Sequence, residues 1–264
     1  MRFASLGSGS KGNATLIAGG DTLLMVDCGF TFKDTVSRLA RLGVSPEQLD
    51  AILVTHEHAD HASGVAALSR RYALPVFLTH GTAASGKIDG AHRQVKINAG
   101  DSFSIGEIDI RSIAVPHDAR EPIQFRLSFA GQCLGILTDL GSITPHVIDA
   151  YRGCTSLLLE FNHDVELLNG GPYPVALKRR VASDFGHLNN HQAAQFLSAL
   201  DTQHLRLIAV AHISEQNNTE ERVQAALASV SSEHNADIFI ACQQQGFDWL
   251  GVQSGAAPRS SASG

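Results

Sequence analysis

Short apolar runs rich in branched side chains recur along this chain, separated by glycine, proline and polar residues, which is typical of strands joined by turns. In the first half they predict strands at residues 2–6, 15–18, 23–26, 51–54, 76–79, 108–115, 123–129 and 133–137. Apolar positions at helical spacing predict helices near residues 33–42 and 61–72. Because the last three strands follow one another closely, we expect them to form antiparallel hairpins.

The second half alternates more regularly between the two kinds of pattern. Helices are predicted near residues 145–151, 174–182, 191–200 and 220–230, and strands at 156–159, 207–211 and 238–241. This alternation predicts a layered α/β protein, and no internal repeat is visible. Residues 1–253 are interpreted as one domain, and residues 254–264, rich in Gly, Ala and Ser, as a flexible tail.

The composition of the 264 residues, with 44% hydrophobic and 17% charged, is that of an ordinary globular protein. No apolar run approaches the roughly 18 residues of a membrane span, and the first residues lack an apolar signal region, so we expect a cytoplasmic protein without membrane association. The formal charge of −6 argues against a protein that coats nucleic acid through a broad basic face. It does not exclude a nucleic-acid enzyme, because bound cations would add local positive charge.

Five of the apolar runs stop at a side chain that commonly binds metals. These side chains are Asp27, His56, His117, Asp139 and His212. In layered α/β folds, functional groups gather just beyond the carboxyl ends of strands. The five side chains are therefore expected to converge on one crevice.

The segment 56–61, His-Glu-His-Ala-Asp-His, places three imidazoles and two carboxylates within six residues. Protonated imidazoles so close together would repel, whereas neutral imidazole with carboxylate suits zinc, iron or manganese. Several ligands on so short a loop point in different directions, which favours two adjacent ions over one.

The HxHxDH motif at 56–61, with Asp27 before it and His117, Asp139 and His212 after it, resembles the signature of the metallo-β-lactamase superfamily. The resemblance covers roughly residues 1–250. It implies an αββα sandwich, in which two mixed sheets lie face to face with helices on the outer faces. It also implies a metal site along one edge of the sandwich.

The same resemblance implies a ligand set for two divalent ions, zinc or manganese with iron as a further option. The first ion would be held by His56, His58 and His117. The second would be held by Asp60, His61 and His212, with Asp139 as a bridge. Asp60 and Asp139 would thereby take part in catalysis, and Asp27 would orient ligands from behind.

Two residues narrow the branch of the superfamily. Antibiotic-cleaving relatives commonly carry cysteine where this chain has Asp139, and flavodiiron relatives carry glutamate where it has His58. A bridging carboxylate resembles the thioesterase and phosphodiesterase branches. Segments 8–13, 159–164, 183–190 and 211–218 resemble the YycJ/WalJ group, which is associated with 5′ to 3′ DNA exonuclease activity.

This closer resemblance and the local chemistry predict substrate-binding residues at Ser10, Lys11, Asn13, His163 and His187. The Gly/Ser loop around Lys11 could turn backbone N–H groups toward a phosphate, or it could be an ordinary turn. The basic residues 178–180 could hold a strand or form a solvated helix face.

His187 is predicted to protonate the departing oxygen or to clamp the phosphate, unless it merely packs within its loop. It lies just before a predicted helix that Asn189 or Asn190 could cap.

Two cations close together lower the pKa of a shared water and polarise a phosphate, so a metal-bridging hydroxide could attack in line with the leaving oxygen. The sequence therefore predicts a metal-dependent phosphodiesterase acting as a DNA exonuclease, with RNA or a smaller phosphodiester still open as substrate. Two alternatives remain: a thioester hydrolase of glyoxalase II type, and an inactive metal-binding or signalling protein.

Overall fold

The computed structural model of the chain describes residues 1–200, 202–230, 236–242 and 245–252. The predicted tail at 254–264 lies outside the described residues, so the boundary of the domain at residue 253 stays a prediction.

The described strands form two sheets, and the first follows the order β14-β1-β2-β3-β4-β5-β6. Its members are β1 (Arg2–Gly7), β2 (Ala14–Gly19), β3 (Thr22–Val26), β4 (Ala51–Leu53), β5 (Pro75–Thr79), β6 (Arg93–Ile97) and β14 (Phe247–Gly251). The β14-β1-β2-β3 side is antiparallel, whereas the β3-β4-β5-β6 side is parallel. The sheet is therefore mixed.

The second sheet follows the order β13-β12-β11-β10-β9-β8-β7. Its members are β7 (Ser102–Ile105), β8 (Ile108–Ala114), β9 (Ile123–Phe129), β10 (Gln132–Leu137), β11 (Ser156–Glu160), β12 (Leu207–Ala211) and β13 (Asp237–Ile240). Strands β7 to β10 pair antiparallel, as predicted for the closely spaced strands, and β10 to β13 pair parallel.

Helices accompany both sheets. They are α1 (Phe32–Arg41), α2 (Ala59–Ala62), α3 (Val65–Tyr72), α4 (His80–Ala83), α5 (Pro145–Tyr151), α6 (Val165–Gly170), α7 (Val175–Val181), α8 (Asn190–Ala199) and α9 (Glu220–Ala228).

Three apolar cores hold these layers together. A central core joins side chains of both sheets, such as Leu24 and Phe125, and an outer core on each side joins a sheet to its helices. This order of layers confirms the predicted αββα sandwich.

The predicted helix at 61–72 is wrong in its extent, because the chain forms α2 and α3 with a break at Ser63 and Gly64. The backbone of Gly64 packs so closely that a Cβ there would lie 2.3 Å from the carbonyl oxygen of Phe30. The backbone N–H of Gly64 also donates to the carbonyl of Cys28 at 2.8 Å. Contact with another segment thus overrides the continuous helical pattern.

The sequence pattern missed β6, β7 and β14, as well as the short helices α4 and α6. All three strands lie at sheet edges or alternate apolar with polar residues over four or five positions. So short a pattern does not stand out from a loop. Within the described residues, no helix is long and apolar enough to cross a membrane.

Candidate metal centre

The carboxyl ends of β3, β4, β8, β10 and β12 meet at one edge of the sandwich, as the five strand endings predicted. Three of the residues there, Asp27, Asp139 and His212, adopt the left-handed backbone conformation, with φ of 60°, 56° and 53°. This conformation is uncommon outside glycine, and it turns a side chain sharply away from the strand. Such strain persists only where the surrounding contacts hold it.

Two residues from other segments, Asn13 and Gly29, contact the backbone of the loop at 56–61 and hold it in place. The backbone N–H of Asn13 donates to the carbonyl of Asp60 at 2.7 Å. A Cβ on Gly29 would lie 1.7 Å from that same carbonyl oxygen, so only glycine permits the approach. These contacts bury His61 fully and leave His58 partly exposed.

The first candidate metal group consists of His56, His58 and His117, whose ligand atoms lie within 4.8 Å of one another. His117 Nε2 is 3.4 Å from His58 Nδ1. The opposite nitrogen of His117, Nδ1, faces the carbonyl of Gly186 at 3.0 Å. This is the set predicted for the first ion.

A second group consists of His56, His61 and Asp139. His61 Nε2 lies 3.1 Å from Asp139 Oδ2, while His61 Nδ1 lies 2.8 Å from Asp27 Oδ2. Asp27 also accepts hydrogen bonds from the N–H and hydroxyl of Thr55 at 2.8 and 2.7 Å. Asp27 thus lies behind the group and fixes the orientation of His61.

A third group consists of Asp139, His187 and His212. His187 Nδ1 and His212 Nδ1 lie 3.6 and 3.7 Å from Asp139 Oδ1. Asp139 therefore belongs to two groups, which is the position expected of a bridging carboxylate. The presence of His187 in this group was not predicted.

The predicted ligands of the second ion, Asp60, His61 and His212, do not form one compact set among the described residues. Asp60 Oδ2 is 3.6 Å from His61 Nε2, and the rings of His61 and His212 are 6.3 Å apart. His212 instead groups with Asp139 and His187. Asp139 contacts both His61 and His212 and so connects the second and third groups.

Glu160, at the end of β11, is a site residue that the sequence analysis missed. It is fully buried, and its Oε2 lies 3.2 Å from both His187 Nδ1 and His212 Nδ1. Its Oε1 accepts from the N–H groups of Leu140 and Leu188 at 2.7 and 3.1 Å. The signal was present, because an apolar strand ends at this carboxylate just as five others end at candidate ligands.

The charges of the cluster differ between neighbouring histidines. Burial, aided by His61, holds the pKa of His56 well below its ordinary value, so His56 is neutral. Burial by itself would also lower the pKa of His61, but the carboxylates of Asp139 and Asp27 outweigh it and hold that pKa well above its ordinary value. An environment that favours a proton so strongly also favours another cation, such as a metal ion.

The hydrogen bonds of the histidines fit a metal centre. In metal sites the nitrogen that does not bind the ion usually donates to a carboxylate or carbonyl. His117 contacts Gly186 and His61 contacts Asp27 in this way, and His56 Nδ1 lies 2.9 Å from the hydroxyl of Thr55. The opposite nitrogen of His56 is buried without a hydrogen-bond partner, and Asp139 Oδ2 makes no hydrogen bond of good geometry although His61 Nε2 lies 3.1 Å away. A divalent cation would supply the missing partner of both atoms.

A cavity of about 280 Å³ opens beside this cluster. Its lining includes polar side chains, among them Asp60, Asp139, His187 and His212. It also includes Tyr173 and side chains of α7.

The predicted substrate-binding residues occupy different positions relative to the cavity. Ser10 and His187 line it, whereas Lys11 is exposed and pairs with Glu215 at 2.8 Å. Asn13 is buried, and its amide nitrogen lies 3.0 Å from His61 Nε2. His163 is 1% exposed and does not line the cavity, so it packs behind the site.

The predicted cap of the helix after His187 is present. The side chain of Asn189 accepts from the N–H of Gln192 at 2.9 Å and begins α8. Asn190 instead exchanges side-chain hydrogen bonds with Asn218.

The sandwich and its histidine-rich edge define a protein of the metallo-β-lactamase fold. Residues 22–212 match the family described as beta-lactamase superfamily domain. The exodeoxyribonuclease WalJ of Streptococcus pneumoniae is 33% identical over 255 residues, 94% of either chain. The exodeoxyribonuclease YycJ of Bacillus anthracis is 33% identical over 237 residues, 88% of this chain and 90% of its own. The chain belongs to this WalJ/YycJ family of the beta-lactamase superfamily, which confirms the resemblance seen in the sequence.

Among solved structures, the metallo-beta-lactamase fold protein YhfI from Bacillus subtilis superposes with a TM-score of 0.73 at 16% identity. The superposition covers 94% of this chain and 98% of that one. At this level of identity the similarity establishes the fold alone, and it agrees with the two-sheet topology described above.

Proposed function

We propose that this protein is a metal-dependent exodeoxyribonuclease that removes nucleotides from the 5′ end of DNA. The observation that carries the proposal is the 33% identity to the exodeoxyribonuclease WalJ, which extends over 94% of both chains. A match of this length spans the candidate centre from Asp27 to His212.

Two divalent cations, zinc or manganese, fit the donor set. His56, His58 and His117 would hold one ion. His61, Asp60 and His212 would surround the other ion at a wider spacing than the first set, with Asp139 shared. When bound, such ions polarise a phosphate and lower the pKa of water. The remaining steps fall to the side chains around them.

His187 is the residue of this chain that we assign to the leaving oxygen. It is partly exposed, lines the cavity and contacts Glu160 through Nδ1. The hydrogen bond to Glu160 fixes the tautomer and the plane of the ring. Nε2 is then the nitrogen available to give a proton to the departing sugar oxygen or to hold the phosphate.

The shape of the cavity supports attack on an end of the chain. Its volume of about 280 Å³ is slightly below the roughly 300–1,000 Å³ of small-molecule pockets. A space of this size admits one nucleotide rather than a duplex, so the scissile bond would lie next to a terminal residue.

The test is a substrate panel with the purified protein and added manganese. It contains 5′-labelled linear single- and double-stranded DNA, circular single-stranded DNA, RNA and S-lactoylglutathione. We expect mononucleotides from linear DNA, no cleavage of the circle, and loss of activity with a chelator. Cleavage of the circle at the same rate would overturn end-directed action, and preference for the thioester would favour a glyoxalase II-type hydrolase.

A further inference from the structure

Helix α7 departs from the usual arrangement of a surface helix. Such a helix normally packs its apolar face on the core, yet none of the seven residues of α7 is buried. Its apolar residues Leu177 and Val181 line the cavity beside the metal centre instead. The apolar face of α7 therefore points toward the site and not into a core.

Tyr173 lies just before α7 and is separated from it by Pro174, whose backbone is extended, so it does not share the helical spacing. Leu177 and Val181 are four residues apart on the helix and lie on one side of it. All three side chains are partly buried and line the cavity. Together they form a continuous half-buried wall, which we call the apolar wall.

The rest of the cavity lining has the reverse chemistry. It includes the carboxylate and imidazoles of Asp139, His187 and His212, and His187 adjoins the apolar wall because its backbone N–H donates to the carbonyl of Val181 at 2.9 Å. A ligand that fills this cavity must carry a group suited to metals next to a flat apolar group. A phosphodiester joined to a nucleoside has this combination.

We propose that the apolar wall is a binding subsite for the base and sugar of the 5′-terminal nucleotide, with the ring of Tyr173 stacked on the base. This inference rests on the proposed function, because it places the scissile phosphate at the metal centre. Stacking on an aromatic ring accepts every base, since each base has a π-face. The subsite thus selects an unpaired terminal nucleotide without selecting its sequence.

The consequence for the substrate is that the terminal base pair must open before cleavage. A cavity of about 280 Å³ has room for one nucleotide and not for a base pair, so the terminal base reaches Tyr173 only after its partner strand has moved away. We therefore expect single-stranded or frayed 5′ ends to be cleaved faster than blunt, G·C-closed ends. A low sensitivity to the identity of the terminal base should accompany this preference.

The experiment combines a change in the protein with a change in the substrate. Wild type, Tyr173→Ala and Tyr173→Phe are assayed on single-stranded oligonucleotides with either a natural or an abasic 5′-terminal nucleotide. For wild type, removal of the base should lower kcat/KM by about 5- to 150-fold, the range that corresponds to about 1–3 kcal/mol for one stacked base. Tyr173→Ala should lower kcat/KM on the natural end by a similar factor and should not distinguish the two ends.

Tyr173→Phe should behave as wild type, since it keeps the ring. Val175→Ala is the matched control, because Val175 lies on α7, is 63% exposed and does not line the cavity. Metal content and thermal unfolding of each variant show whether the centre and the fold are retained.

Equal loss on natural and abasic ends for Tyr173→Ala would overturn the subsite, as would an unchanged kcat/KM or a loss of metal. These outcomes are separate from failure of the proposed function, which would appear as the absence of DNA hydrolysis by wild type itself.

Discussion

The two sides of the candidate centre are built in different ways. On one side, His56, His58 and His61 come from a single six-residue segment; His56 and His61 turn Nε2 toward the centre, whereas His58 turns Nδ1 toward it. On the other side, Glu160, His187 and His212 come from three separate segments and meet only in the folded chain.

The difference also extends to charge. The group of His56, His58 and His117 has three imidazoles, and burial keeps His56 and His117 below their ordinary pKa. The group of His187 and His212 is joined to two carboxylates, Asp139 and Glu160. Burial alone would lower the pKa of His212, but Asp139 and Glu160 raise it to about 9. The group on the first side therefore offers neutral nitrogen donors at His56 and His117, whereas two carboxylates on the second side favour a positive charge beside them.

The largest effect is expected from Asp139→Ala. Among the described residues, Asp139 is the one carboxylate that belongs both to the group of His56 and His61 and to the group of His187 and His212. Activity should fall further than the about 10²- to 10⁴-fold cost of losing a single acid–base group. Metal analysis should show loss of much of the second ion. Full retention of two ions together with wild-type turnover would contradict the bridging role.

The sequence predicted the loop side of this comparison almost completely. The segment 56–61 is recognisable because its ligands are adjacent, and the strand endings at Asp27, His117, Asp139 and His212 follow from apolar runs that stop abruptly. The same rule applied to the run before Glu160 would have found that residue as well. It was passed over because a lone glutamate carries less chemical signal than a histidine.

Other features could not be read from the sequence. Lys11 and Asn13 lie in one glycine-rich loop, yet Lys11 pairs with Glu215 at the surface while Asn13 is buried against His61. Ser8 accepts a hydrogen bond from the N–H of His212 at 3.0 Å, 204 positions away. Such roles depend on which distant segment the loop meets, and periodicity contains no information about that.

The next largest effect should come from His187→Ala, which tests only the side that is built from three separate segments. If His187 protonates the leaving oxygen, kcat should fall by about 10²- to 10⁴-fold while both ions and the fold remain. A leaving group that needs no proton, such as p-nitrophenolate in bis-p-nitrophenyl phosphate, should be much less affected. Loss of an ion would instead make His187 a ligand, as its place beside Asp139 and His212 permits.

A smaller effect is expected from Glu160→Gln, which keeps the size of the side chain but removes its charge. Glu160 contacts two ring nitrogens and two backbone N–H groups, so the amide would leave at least one of them poorly paired. Loss of a residue that orients ligands costs about 10- to 100-fold in metal affinity or activity. Asp27→Asn is the matched control on the loop side.

The two variants should differ in which ligands they disturb. Glu160→Gln should shift the imidazole NMR signals of His187 and His212 and leave those of His56 and His58 in place, whereas Asp27→Asn should act on His61. If both variants shifted the same signals, the two sides would form one rigid unit and would not be independent parts of the centre.

The smallest effect is expected from Lys11→Met, although the sequence placed Lys11 among the substrate-binding residues. Its side chain is 66% exposed and its charge is already opposed by Glu215 at 2.8 Å. Exposed ion pairs of this kind contribute little free energy. The salt dependence of DNA binding should fall by no more than the share of one phosphate contact. KM for DNA should therefore rise by less than about fivefold, the equivalent of about 1 kcal/mol, with metal content unchanged.

Glu215→Gln serves as the partner control, since it exposes the Lys11 charge to an approaching strand. The opposite result would be a rise in KM of tenfold or more for Lys11→Met, with a matching fall in KM for Glu215→Gln. Lys11 would then contact the substrate, and the glycine-rich loop would bind phosphate in addition to contacting the metal centre.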